Sequence, residues 1–137
     1  MAWRLLRAGK YTKAIVIGCD VQSQFIVSGF QSFKALSPEP CKPFDAQRTG
    51  LNLGEAVATM IWDLEPALTS NKWRFTAGSM HNDANHISGP SRTGEGSYRC
   101  IQDVIADCLP TEITALSVHG TATPYNDEME AIALHRA

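Results

Sequence analysis

Residues 2 to 8 place Trp3, Leu5 and Leu6 in the closing turns of a predicted helix, with Gly9 after Arg7 as its left-handed terminator. The run from Ala14 to Cys19 is apolar without alternation, the pattern of a central parallel strand covered on both faces. Helical spacing returns through Phe25, Ile26, Gly29, Phe30 and Phe33. Pro38, Pro40 and Pro43 then forbid regular structure between Leu36 and Asp45, where Phe44 argues for an ordered loop. Leu51 to Trp62 reads as a strand interrupted at Gly54, a position suited to a bulge or a close backbone approach.

The second half repeats the alternation. Arg74 to Met80 reads as a strand and leads into a polar loop from His81 to Pro90. Tyr98, Ile101, Ile105 and Cys108 fall three and four apart, which predicts an amphipathic helix closed by Pro110. Ala115 to Val118 reads as a buried strand, and Asn126 as the cap of a last helix with Asp127 and Glu128 in its first turn. Strands alternating with helices predict an α/β fold with a mostly parallel sheet.

The 137 residues suffice for one core, and 12 basic against 14 acidic side chains leave a net charge of −2. Without blocks of like charge, nothing draws the chain to nucleic acid or an anionic membrane. No apolar run reaches spanning length, and Met1-Ala2-Trp3-Arg4 lacks the design of a secretory signal, so a cytoplasmic location is expected. Cys19, Cys41, Cys100 and Cys108 show neither C-x-x-C nor zinc spacing; free thiols are expected, buried for all but Cys41 in its Pro-rich loop. His81, Asp83 and His86 share one loop but have no fourth ligand, so no metal site is expected.

The most informative stretch runs from Ser117 to Glu130: an apolar run ends in His119-Gly120-Thr121-Ala122-Thr123, which opens into an acidic helix start. A histidine at the C-terminal end of a strand lies where open α/β sheets bind ligands. The bland alternative is a strand end with a satisfied polar turn. Three further segments accompany it in order. One is Arg4-Leu5-Leu6-Arg7-Ala8-Gly9 with Gly18-Cys19-Asp20. The next is Gly29-Phe30 with Ala35-Leu36-Ser37, Pro43-Phe44-Asp45 and Arg48-Thr49-Gly50-Leu51-Asn52-Leu53-Gly54-Glu55. The last is Asn82-Asp83-Ala84-Asn85-His86 with Pro90 and Gly94-Glu95-Gly96. Together these resemble the β-ketoacyl-[acyl carrier protein] synthases, with one departure: Ala56 stands where that family usually has a second glycine.

The resemblance implies a thiolase-like layered α/β fold, of which residues 1–70 belong to the N-terminal half and 71–137 begin the C-terminal half. It implies that His119 is one of two catalytic histidines, donating a hydrogen bond to a malonyl thioester oxygen as carbon dioxide leaves. Such a bond strengthens as charge develops, so it lowers the barrier. Ser88, Thr121 and Thr123 resemble hydroxyls that contact the phosphopantetheine arm. Asp127 and Glu130, three apart on one helix face, resemble acids of the active-site framework; Asp127 could equally be a first-turn acid meeting the helix dipole. Phe30 and Ile26, one turn apart, resemble the acyl-pocket lining, although such spacing also suits plain core. Asp83 and His86 resemble a loop at the mouth of the site, with structural hydrogen bonding first and gating second.

A full synthase of this kind is expected to join acyl and malonyl thioesters by decarboxylative Claisen condensation with acyl carrier protein as partner, as a homodimer or heterodimer. It needs no cofactor, because phosphopantetheine arrives on the carrier protein. The resemblance places the nucleophilic cysteine upstream of Met1, and the second histidine, framework lysine and glycine-rich oxyanion loop downstream of Ala137. The chain is therefore expected to be a central fragment, inactive alone and prone to aggregate through uncovered apolar faces. A non-catalytic partner subunit of chain-length-factor type is the alternative, and a thiolase is disfavoured by the His-Gly-Thr-x-Thr loop.

Overall fold

The computed structural model describes residues 1–64, 73–86 and 89–137, in two compact units. The first comprises residues 1–27 and 53–75; the second comprises 28–52 and 76–137.

The first unit opens with α1 (Ala2–Arg7), where Leu6 is buried. Gly9 at φ +67° ends it in the way the sequence predicts, with Gly9 N–H donating to the Leu6 carbonyl at 2.9 Å and Lys10 N–H to Leu5 at 3.1 Å. Strand β1 (Lys13–Asp20) pairs with β2 (Ala56–Asp63), in register from Lys13 opposite Asp63 to Asp20 opposite Ala56. The pairing is antiparallel, where the apolar run of β1 predicts a parallel neighbour. An unbroken apolar run signals burial, not direction, and here it does not deliver burial either. Ile15, Ile17, Val57 and Ile61 share one face by register and are 66–75 % exposed. Cys19 lies on that face and is exposed, not buried, while Cys100 and Cys108 are half-buried and all four thiols are free. On the opposite face Ala14, Val16 and Trp62 are half-buried, and α1 packs against both strands. Trp3 and Trp62 each meet the Phe75 ring edge-on, at 5.6 and 5.2 Å between centroids.

Helix α2 (Gln24–Ser32) follows the predicted spacing, and the boundary between the units falls within it. In the second unit the Pro-rich segment is an ordered loop. Asn52 holds it by donating to the carbonyls of Ser37 and Glu39 and accepting the Cys41 N–H, and Leu51 N–H reaches the Ala35 carbonyl at 2.8 Å. Helix α3 (Glu95–Ile105) stops short of Cys108, and a single 3-10 turn, Pro110–Glu112, follows. Helix α4 (Pro124–Arg136) starts from Thr123, not Asn126. Proline in the first helical position carries no N–H to satisfy and has a helical φ already set, so it fixes that start.

Arg74–Met80 and Ala115–Val118 form no strand, and Leu116 and Val118 are 62 % and 39 % exposed. β-propensity becomes a strand only when a neighbour supplies the ladder, and among the described residues none pairs with these segments. Among the described residues no helix is long and apolar enough to cross a membrane.

Helices α3 and α4 approach closely. Gly94 at φ +60° lies so near α4 that a Cβ there would stand 2.5 Å from the Met129 carbonyl oxygen and 2.9 Å from the Ala133 Cβ. Arg136 closes the pair from the far end. It donates to the Thr93 carbonyl at 2.6 Å, pairs with Glu95 at 2.9 Å and stacks 4.0 Å above the Tyr98 ring.

Candidate active site

Two carboxylates on the first turns of α4 organise the loop that carries His119. Glu130 accepts two successive backbone N–H groups, from His119 at 2.7 Å and Gly120 at 2.9 Å, one on each oxygen. Asp127 is 1 % exposed and accepts the Ala122 N–H at 3.1 Å, with the Thr121 hydroxyl at 3.4 Å. Its other oxygen accepts the Phe44 N–H at 2.7 Å and lies 3.6 Å from Arg48 Nε. A buried carboxylate is tolerable only when its lone pairs and charge are met, and these four groups meet them. Asp127 lies in the first turn of α4 and also bonds to two separate loops.

The loop requires this support because its backbone is strained. Gly120 takes φ +52°, which costs a glycine little, but Ala122 takes φ +59° while fully buried and Phe44 takes φ +63°. Asp127 therefore holds two non-glycine residues, from separate loops, in left-handed conformations. Gly120 also makes room for the Pro-rich loop: a Cβ there would lie 3.1 Å from Pro43 Cβ and 3.4 Å from the Phe44 ring.

With its backbone pinned, His119 presents an exposed imidazole whose ring nitrogens carry no hydrogen bond among the described residues. Thr121 and Thr123, the two hydroxyls expected to face a pantetheine arm, bond to each other at 2.8 Å, and Asn126 donates to Thr121 Oγ1 at 3.2 Å. Ser88 lies outside the described residues. Ile26 and Phe30 both sit on α2 and are 38 % and 36 % exposed. An open cleft of about 500 Å³ lies against Phe44, Arg48, Asp127, Glu128 and Ile132. It does not include His119, and its size is no argument for chemistry there.

Asp83 is fixed to the start of α3. Gly94, at the N-cap of α3, has no side chain to cap with, and Asp83 substitutes by accepting the N–H groups of Ser91 and Gly96, while Ser91 Oγ accepts the Glu95 N–H at 2.9 Å. The Ser91 N–H, chiefly, holds the Asp83 carboxyl below the usual aspartate range. A depressed carboxylate stabilises the fold above its unfolded value and loses that contribution as pH falls through the folded one. Amide exchange at Ser91 and Gly96 is therefore expected to stay slow at pH 5 and to speed up only below the ordinary aspartate pKa, at pH values under about 4. Loss of protection already near pH 6 would contradict this. His86 bridges to Gly89 across the loop. The Ser79 hydroxyl donates to Asp103, and His81 bonds the same oxygen at 2.7 Å; the Ser79 bond first and the His81 bond second hold the Asp103 carboxyl below its usual range.

Phe44, Arg48, Ser79 and Asp103 were not singled out by side-chain chemistry. The bonds of Phe44 are made by its main chain, which leaves no trace in residue type. Arg48 did carry a signal, since an arginine between a Pro-rich loop and a glycine invites a carboxylate partner, but its partner is 79 positions away.

Residues 1–67 match the beta-ketoacyl synthase N-terminal domain and residues 75–137 the beta-ketoacyl synthase C-terminal domain. The chain is 33 % identical over 99 % of its length to a 3-oxoacyl-[acyl-carrier-protein] synthase 2 of Synechocystis sp., covering 36 % of that protein. It is 30 % identical over 96 % of its length to Nodulation protein E of Rhizobium leguminosarum bv. trifolii, covering 34 % of it. A ketosynthase from Xenorhabdus doucetiae, solved in complex with its chain length factor, superposes with a TM-score of 0.82 at 31 % identity over 98 % of this chain and 33 % of its own. A β-ketoacyl synthase from Burkholderia phymatum gives a TM-score of 0.84 at 26 % identity, over 98 % of this chain and 36 % of its own. The chain thus spans about a third of the length of the relatives it matches.

Proposed function

The chain belongs to the β-ketoacyl synthases, a family of condensing acyltransferases with the thiolase-like fold, and from that premise we propose that its His119 loop serves the decarboxylation half of a Claisen condensation. The observation that carries this reading is the division of labour at His119: two α4 carboxylates hold its loop by the backbone, and the imidazole is exposed, with no bond among the described residues.

In this reading a ring N–H donates to the thioester oxygen of a malonyl group on an acyl carrier protein. As the C–CO₂ bond breaks, its electron pair moves into the thioester and the oxygen gains negative charge, which the fixed donor stabilises without reorganising. Thr121 and Thr123 meet the pantetheine amides, and Ser88 joins them. Ile26 and Phe30 line the acyl chain's path, Asp83 and His86 shape the entrance, and Asp127 and Glu130 keep the framework rigid. Phosphopantetheine arrives with the substrate, and no other cofactor takes part.

The covalent half needs a thiolate at the start of a helix. Cys19 is on β1, Cys41 in a loop, Cys100 in the middle of α3 and Cys108 beyond its end, so none occupies such a position. On this reading the chain alone loads no acyl group, and the complete site draws its nucleophile and second histidine from elsewhere. The alternative is a partner subunit that only shapes an acyl pocket; the exposed histidine on its carboxylate-braced loop is what supports the catalytic role.

The test is a chimera with residues 1–137 replacing the matching third of a 3-oxoacyl-[acyl-carrier-protein] synthase 2. Replacing His119 with alanine there is expected to cut condensation about 100- to 1,000-fold. Acyl loading, read by mass spectrometry of the acyl-enzyme, should stay intact. Loss of loading would reassign His119 to the first half-reaction.

A further inference from the structure

The guanidinium of Arg48 joins the Pro-rich loop, the start of α4 and Asp127. Its Nη1 donates to the Asp45 carbonyl at 2.9 Å and its Nη2 to the Pro124 carbonyl at 2.8 Å, while Nε stands 3.6 Å from Asp127 Oδ2. The side chain is 19 % exposed, and Nε is buried with no hydrogen-bond acceptor in range among the described residues. Pro124 is the first residue of α4, one place after the loop that carries His119.

We infer that Arg48 is a positioning residue for His119, acting through the α4 N-terminus and the Asp127 carboxylate. This rests on the role of His119 proposed above. The planar fork spans two carbonyls from separate segments, which an ammonium cannot do with the same geometry. Its charge faces the one buried carboxylate that also holds Phe44 and Ala122 in left-handed backbone. Without Arg48, Asp127 keeps its two N–H donors but loses its counter-charge, and the Pro-rich loop loses its tie to Pro124. The His119 loop then keeps its bonds to Glu130 and Asp127, but the carboxylate on the Asp127 side is no longer held in place by the Arg48 charge and fork.

Amide hydrogen exchange on the full chain tests this with no need for turnover. In Arg48→Gln, exchange at Phe44 and Ala122 is expected to quicken about tenfold or more, the equivalent of one lost charged hydrogen bond. Amides in the middle of α3, at Ile101 and Val104, should change little. Arg48→Lys should fall between wild type and Arg48→Gln, because charge returns without the fork. Unchanged exchange at Phe44 and Ala122 in Arg48→Gln overturns the inference, and so does an equal rise across α3. Should Arg48→Gln fail to fold, Arg48→Lys decides alone by the same local criterion. An inert chimera in the condensation assay would sink the functional reading and leave this result standing, so the two can fail separately.

Discussion

Asp127→Ala is expected to destabilise the second unit by about 3–5 kcal/mol, the range for removing one partner of a buried charge pair. The loss has identifiable parts. The Phe44 and Ala122 N–H groups lose their acceptor, Arg48 loses its carboxylate, and the two left-handed residues lose what offsets their backbone cost. Asp127→Asn has nearly the same shape and keeps one acceptor oxygen, so it should lose roughly half as much, within the 1–3 kcal/mol of an unsatisfied buried group. Urea titration followed by far-UV circular dichroism measures both. A change below about 1 kcal/mol in Asp127→Ala would mean that the loops stand without it.

Gly94→Ala should be nearly as damaging, for another reason. Its φ of +60° costs an alanine about 1–2 kcal/mol by itself. The new Cβ would also stand 2.5 Å from the Met129 carbonyl oxygen, a backbone atom, so α4 must move away and the Arg136 contacts with Glu95 and Tyr98 stretch. Overpacking of this kind adds about 1–3 kcal/mol. Gly9→Ala separates the two costs, because Gly9 has a similar φ of +67° but nothing within 4 Å of its added Cβ. It should lose only the backbone term. Equal losses at Gly94 and Gly9 would show that α3 and α4 are not in the close contact described.

What the sequence revealed follows the range of the interactions involved. Helix α1 and its Gly9 terminator, α2 and α3 could be read because helical spacing and a left-handed glycine are local signals. The strand predicted over Arg74–Met80, and the parallel partner expected for β1, could not be settled locally, since a ladder depends on what lies beside it. Asp127 and Glu130 could be picked out as a pair by the family resemblance and their shared helix face. Their partners could not: a carboxylate bonded to main-chain N–H groups leaves no pattern in side-chain type. Gly120 announces its turn, yet Phe44 and Ala122 adopt left-handed backbone without being glycine, and only a tertiary acceptor explains them.

The bond from Phe44 to Asp127 spans 83 positions of the chain, while the two amides on Glu130 come from 10 and 11 positions away. Contacts of such different span differ in what they cost, because closing the longer loop takes more entropy before it returns anything. The near bonds can bend the His119 turn as soon as α4 begins to wind. The Pro-rich loop, which brings Phe44 and Arg48 to Asp127, has the longer closure to make. The turn that presents the imidazole is therefore braced by short-range bonds to both carboxylates, at 5, 10 and 11 positions, and it is the joining of the Pro-rich loop to that turn that depends on closing a long stretch of chain.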